Sequence, residues 1–224
     1  MSSGWTTKAL AVLAKDIRTE LRTRYSLNAL FMFAFTTLVV VSFSLGQLSL
    51  GVQVLSALYW IIIFFASMSA LSGVFVKEED AKTAQTLRLF ARPSVIYAGK
   101  LIYNILLLTI LCALLTPLYV AFMNVTVPDW PLFLVVILLG IIGLSGATTI
   151  IGAIVAKANV RGALFAVLSF PVLLPLLVAA IGGTDAALVG TGWAGAENHI
   201  KLLVAYAVIM ITASAVLFDF VWNG

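Results

Sequence analysis

One cysteine and one histidine are all that this 224-residue chain offers to a disulfide or a metal. A lone Cys112 closes no disulfide within the chain. His199, with no second histidine or cysteine to join it, falls short of the convergent ligands a metal hydrolase needs. Charge is scarce as well: 10% of residues are Asp, Glu, Lys or Arg, 62% are hydrophobic, and the mean hydropathy is +1.14. A soluble domain of this size has no way to bury so much apolar side chain, so the surplus faces lipid. Carboxylates at mid-membrane depth are lacking too. Among the acids only Asp219 falls inside an apolar run, close to its end, which counts against an ion-coupled transporter. A phosphate-binding loop is also missing. Gly99-Lys100-Leu101 has Ser94 where the motif requires its leading Gly, and Leu101 where it requires Ser or Thr. Nothing in the chain supports catalysis, and it reads as non-catalytic with no cofactor of its own.

What the chain does have is six apolar runs, at 28–45, 52–76, 98–123, 132–156, 163–181 and 200–221. Each is near the roughly 20 residues that cross a bilayer. They predict an all-α membrane protein, one transmembrane domain over 1–224. No apolar run precedes residue 28 and no A-x-A-like site follows the first, so no cleaved signal peptide is expected. Basic residues fall in three places: Lys8, Lys15, Arg18, Arg22 and Arg24; then Lys77, Lys82, Arg88, Arg92 and Lys100; then Lys157 and Arg161. Of the 13 lysines and arginines only Lys201 lies elsewhere. The positive-inside rule makes that side cytoplasmic and predicts that both termini lie there. The net charge of +4 then answers to anionic lipid and implies no nucleic acid.

Two stretches outside the spans have a pattern of their own. Residues 5–25 predict an amphipathic elbow helix in the inner interface, with Leu10, Leu13, Ala14, Ile17 and Leu21 on one stripe and Lys15, Arg18 and Arg22 beside it. Residues 77–97 predict a cytoplasmic coupling segment. There Glu78, Glu79 and Asp80 precede a short helix with Leu87 and Phe90 on one face, and Pro93 stops it at Arg92. The glycines of the fourth run predict a central, closely packed span. Pro171 and Pro175 predict a kink or a break in the fifth. Residues 182–199 are expected to form the largest outer loop. A chain with this layout and no energy source of its own suits a transporter membrane subunit, driven by a separate ATPase that docks on the coupling segment.

The stretch from Glu78 to Asn104, EEDAKTAQTLRLFARPSVIYAGKLIYN, resembles the heme exporter B subunit of the cytochrome c maturation system. The residues that carry the resemblance are Glu79, Thr83, Leu87, Leu89, Pro93, Gly99 and Lys100. Arg161-Gly162, the Pro171/Pro175 span and the ending Phe218–Trp222 add to it. One departure is visible: many members have Gly where this chain has Lys82. The resemblance implies an ABC-type membrane subunit of the bacterial inner membrane. Its implied partners are a cytoplasmic ATPase that binds the ATP, a heme-handling membrane subunit and a periplasmic heme chaperone, with heme as the cargo of the complex. It points to Glu78, Glu79, Asp80, Thr83, Leu87, Arg88 and Arg92 as the ATPase-coupling residues. Trp193 and His199 are the candidate contacts for heme or another substrate, although a boundary histidine near Lys201 is the plainer account. The competing reading is an ABC-2-type exporter of a lipid, drug or other amphiphile, which shares the architecture.

Overall fold

A computed structural model describes residues 2–46, 50–71, 73–80, 82–83, 87, 89–156 and 161–223. The helices are α1 (Ser2–Thr23), α2 (Tyr25–Leu45), α3 (Val52–Leu71), α4 (Gly73–Asp80), α5 (Pro93–Phe122), α6 (Trp130–Ala156), α7 (Arg161–Val189) and α8 (Gly192–Asn223). No strand occurs among the described residues. Six helical stretches are long and apolar enough to span a bilayer, α3 and α4 counting as one.

Glycine decides which helix lies in the middle. A Cβ at Gly140 would sit 2.1 Å from the Trp60 ring, and one at Gly143 would sit 2.7 Å from Leu176. At Gly152 the neighbours are Phe75 and Phe165. So α6 admits large side chains from α3, α4 and α7 at close range and forms the centre of the bundle, as the small residues predicted.

The two ends are tied differently. At one end α1, α4, the start of α5 and the end of α8 converge. There Phe75, Tyr97, Phe218 and Trp222 pack together, with the Phe218 and Trp222 rings stacked at 5.5 Å. This is the end where the lysines and arginines of the connecting segments gather, hereafter the basic end. At the opposite end neutral hydrogen bonds join the helices: Tyr59 to Thr116 at 2.7 Å, Trp60 to Thr184 at 2.9 Å and Tyr119 to the Leu55 carbonyl at 2.6 Å.

Several expected boundaries differ. The outer loop over 182–199 is replaced by helix on both sides of a tight turn, α7 running to Val189 and α8 starting at Gly192. Gly182 and Gly183 are packing positions, since a Cβ at 182 would lie 2.3 Å from the His199 ring. The turn itself falls at Gly190 and Gly192, whose φ of 80° and 69° suit glycine. The prolines do not divide α7, which is one continuous helix through Pro171 and Pro175. Tyr206 donates to the Val172 carbonyl at 2.9 Å, which ties α8 to that stretch. Finally, α5 begins at Pro93 and not near 98. Arg92 is extended with ψ 150°, as a residue before proline must be, and Pro93 takes the first helical position, where no N–H is needed.

Candidate functional site

The basic end is built around Lys100, which is 1% exposed. Its neighbour Gly99 explains how. A Cβ there would come within 2.8 Å of Val12 and 3.0 Å of the Ala9 carbonyl, so the glycine lets α1 lie directly on α5. The inward stripe of α1 is therefore Ala9, Val12, Asp16 and Glu20. That corrects the expected register. Leu13 and Ile17 are half-buried, whereas Leu10, Ala14 and Leu21 face outward, and two acids point into the bundle.

Lys100 Nζ lies 3.0 Å from Asp16 Oδ2 and 2.8 Å from Glu78 Oε1, and donates to the Val74 carbonyl at 3.1 Å. It also sits 5.3 Å above the Phe75 ring. Lys15 enters from the surface, 3.2 Å from Asp16 and hydrogen-bonded to Glu78 Oε1. Two cations and two carboxylates from α1, α4 and α5 thus neutralise one another. Such pairing is what makes buried charge tolerable at membrane depth, because an isolated ion costs several kcal/mol to desolvate. Burial by itself would pull the Lys15 ammonium down, but Asp16 and Glu78 outweigh it and hold it above the ordinary lysine value. One turn further along α5, Tyr103 donates to Glu20 Oε2 at 3.2 Å, and Glu20 Oε1 accepts from the Leu27 backbone N–H at 2.9 Å. This extends the clasp to the start of α2.

A cavity of about 630 Å³ opens beside these ions between α1, α4 and α5, with Thr83, Leu87 and Phe90 on its rim. Glu78 lines it, and its Oε2 is buried with no hydrogen-bond partner.

The coupling candidates are separated by this arrangement. Glu78 is turned inward, whereas Glu79 is half-buried and Asp80 exposed. All three end α4, at the unfavourable pole of its dipole, and do not open a new helix; Glu78 is held by Lys100 and Lys15 instead. Thr83 closes α4, with its backbone N–H 3.0 Å from the Glu78 carbonyl. Leu87, Leu89 and Phe90 are helical, Leu87 half-buried, Leu89 90% exposed and Phe90 52% exposed. Arg92 is exposed, and Arg88 lies outside the described residues. Lys82 has φ 53°, the left-handed conformation that a glycine adopts without strain. On α1, Arg18 and Arg22 are exposed while Lys15 joins the clasp. Lys8 extends α1's grip, donating to the Phe90 carbonyl at 3.3 Å.

Trp193 and His199 lie at the opposite end, away from the coupling candidates. His199 rests on Gly182 and Gly183, and Trp193 is exposed; six residues apart on one helix, they take different faces. Among the described residues no group of three His, Cys, Asp or Glu is placed to hold a metal ion.

Sequence reasoning missed Asp16, Glu20 and Tyr103. The signal was their spacing: Val12, Asp16 and Glu20 recur every four residues on one face of α1, and Lys100 and Tyr103, three apart, share a face of α5.

No match was found among the curated proteins. The family model described as CcmB protein matches residues 7–220, nearly the whole chain, including most of α1 and the Lys100 clasp. The chain therefore belongs to the CcmB protein family and is a multi-pass membrane subunit of a heme exporter of the ABC class.

Proposed function

We propose that the basic end is where a cytoplasmic ATPase grips this subunit, and that the Lys100 clasp carries the resulting displacement into α1 and α5. The observation that carries the reading is Leu89. It is 90% exposed on the segment between α4 and α5, which runs in the chain from Glu79 and Asp80 to Arg92 and also carries exposed Phe90. The concentration of lysine and arginine at this end supports a cytoplasmic placement, with both termini on that side of a bacterial inner membrane. In water an exposed apolar side chain on a charged segment has the composition of a protein contact, which joins apolar centres to polar rims.

A displacement of this segment is not absorbed locally. Glu78 is hydrogen-bonded to Lys15 and Lys100, and Lys8 holds Phe90. Movement of the segment therefore drags α1 along the bundle surface and tilts α5. The partner ATPase binds and hydrolyses ATP. The output is delivery of heme, or release of the heme-loaded periplasmic chaperone, together with a heme-handling membrane subunit. The second of these outputs is favoured because His199 and Trp193 do not converge on a common site.

The test is co-purification of the ATPase with Leu89→Asp. Leu89 is exposed, so the variant folds and inserts, and the ATPase is lost from the complex together with cytochrome c maturation. Full retention of both in Leu89→Asp would rule out this docking surface.

A further inference from the structure

We propose that the outward face of α8 around Asp219 receives a transmembrane helix of a different chain, one that carries a lysine or arginine at its cytoplasmic end. This does not rest on the ATPase-coupling reading; it follows from a carboxylate in an apolar span that the rest of the chain leaves unpaired. Ionisable side chains within spans almost always face the bundle interior or pair with one another, as Asp16, Glu78 and Lys100 do. Asp219 does neither. It lies inside the apolar stretch Gly192–Trp222 and is exposed, and its side chain has no ion pair or hydrogen bond among the described residues.

Its setting selects the partner. α8 turns Leu203, Ala207, Ser214, Phe218 and Trp222 into the bundle. Val208, Thr212, Ala215 and Asp219, spaced four, three and four apart, share a face that points out of it, and all are exposed. Thr212 and Ala215 are small enough to let a second helix approach closely. Phe218 sets the level of Asp219 along the bundle, since it packs on Phe75, whose ring lies 5.3 Å from Lys100 Nζ. Asp219 is therefore at the basic end, where the positive-inside rule also gathers the lysines and arginines of any partner span. Phe220 beside it is 75% exposed and, unlike tryptophan or tyrosine, has no polar tip to place among lipid headgroups. That favours a protein cover over a lipid one. Charge argues against a second copy of this chain. A two-fold axis through this face would set Asp219 against Asp219, a juxtaposition of like charges.

The experiment is photocrosslinking of the full-length chain in native membranes, with mass-spectrometric mapping of the adduct. Benzoylphenylalanine replaces Val216, which is 60% exposed and one turn from Asp219. The adduct is expected to join a membrane chain other than this one, at a helix with Lys or Arg at its cytoplasmic end. Asp219→Lys should lower the yield roughly tenfold, as replacing an ion pair by repulsion implies. The introduced charge accords with the positive-inside rule, so the variant keeps its orientation. Ala215→Trp blocks the approach by bulk alone, with no change of charge, and should lower the yield as well. Adducts confined to lipid or to a second copy, a mapped helix without a basic residue, or a yield unchanged in either variant would overturn the site.

Discussion

The two ends of the bundle are held by opposite chemistries. At the basic end, four ionised side chains from three helices meet around Lys100, beside a cavity and under a segment with an exposed Leu89. At the other end Tyr59, Trp60 and Tyr119 make neutral hydrogen bonds, and glycines admit rings at van der Waals range. Neutral bonds and close packing fix one geometry, since any displacement leaves a void or a clash. An ion cluster is less particular about distance, because its attraction falls off gradually and a lysine follows a moving carboxylate. The packed end suits an anchor and the charged end suits a part that moves.

Substitutions can break this contrast, and the largest effect belongs to the charged end. Lys100→Met strands Asp16 and Glu78 without their buried cation and is expected to cost about 3–5 kcal/mol, read as a fall in thermal stability in detergent. Removing the charges together, as Asp16→Asn, Glu78→Gln and Lys100→Met, should recover most of that loss, because the one charge left, Lys15, is 44% exposed and reaches solvent. At the packed end Gly140→Ala pushes a Cβ into the Trp60 ring and should cost about 1–3 kcal/mol by the same measurement. No charge change can rescue it, but a smaller residue at 60 can. Trp60→Phe loses the bond to Thr184 and should cost about 1 kcal/mol, which Thr184→Val in the same chain partly restores. The smallest effect has the opposite sign. Lys82→Gly relieves a left-handed φ of 53° and should stabilise the chain by up to about 1 kcal/mol, seen as a raised melting temperature.

Much of the architecture was legible in the residues. The spans follow from hydropathy, and the central place of α6 follows from its small side chains, because both are local properties of a run. The clasp was hidden for a physical reason. The apolar stripe read from residues 5–25 left Asp16 and Glu20 out of account, and only the depth of Lys100 on α5 gives them a reason to turn inward. Gly182 and Gly183 misled in a similar way. In water a glycine pair suggests a turn, but between packed membrane helices it makes room, here for His199. Thr83 and Lys82 show the converse, since the family pattern marked a glycine position and the backbone there takes the conformation glycine prefers.

The most direct measurement is holocytochrome c formation by the assembled complex carrying the triple variant Asp16→Asn, Glu78→Gln, Lys100→Met, with ATP hydrolysis followed in parallel. The variant keeps the exposed Leu89 surface, so the account predicts a complex that retains its ATPase and hydrolyses ATP but matures little cytochrome. Wild-type maturation by the triple variant would contradict the claim that the Lys100 clasp transmits the motion.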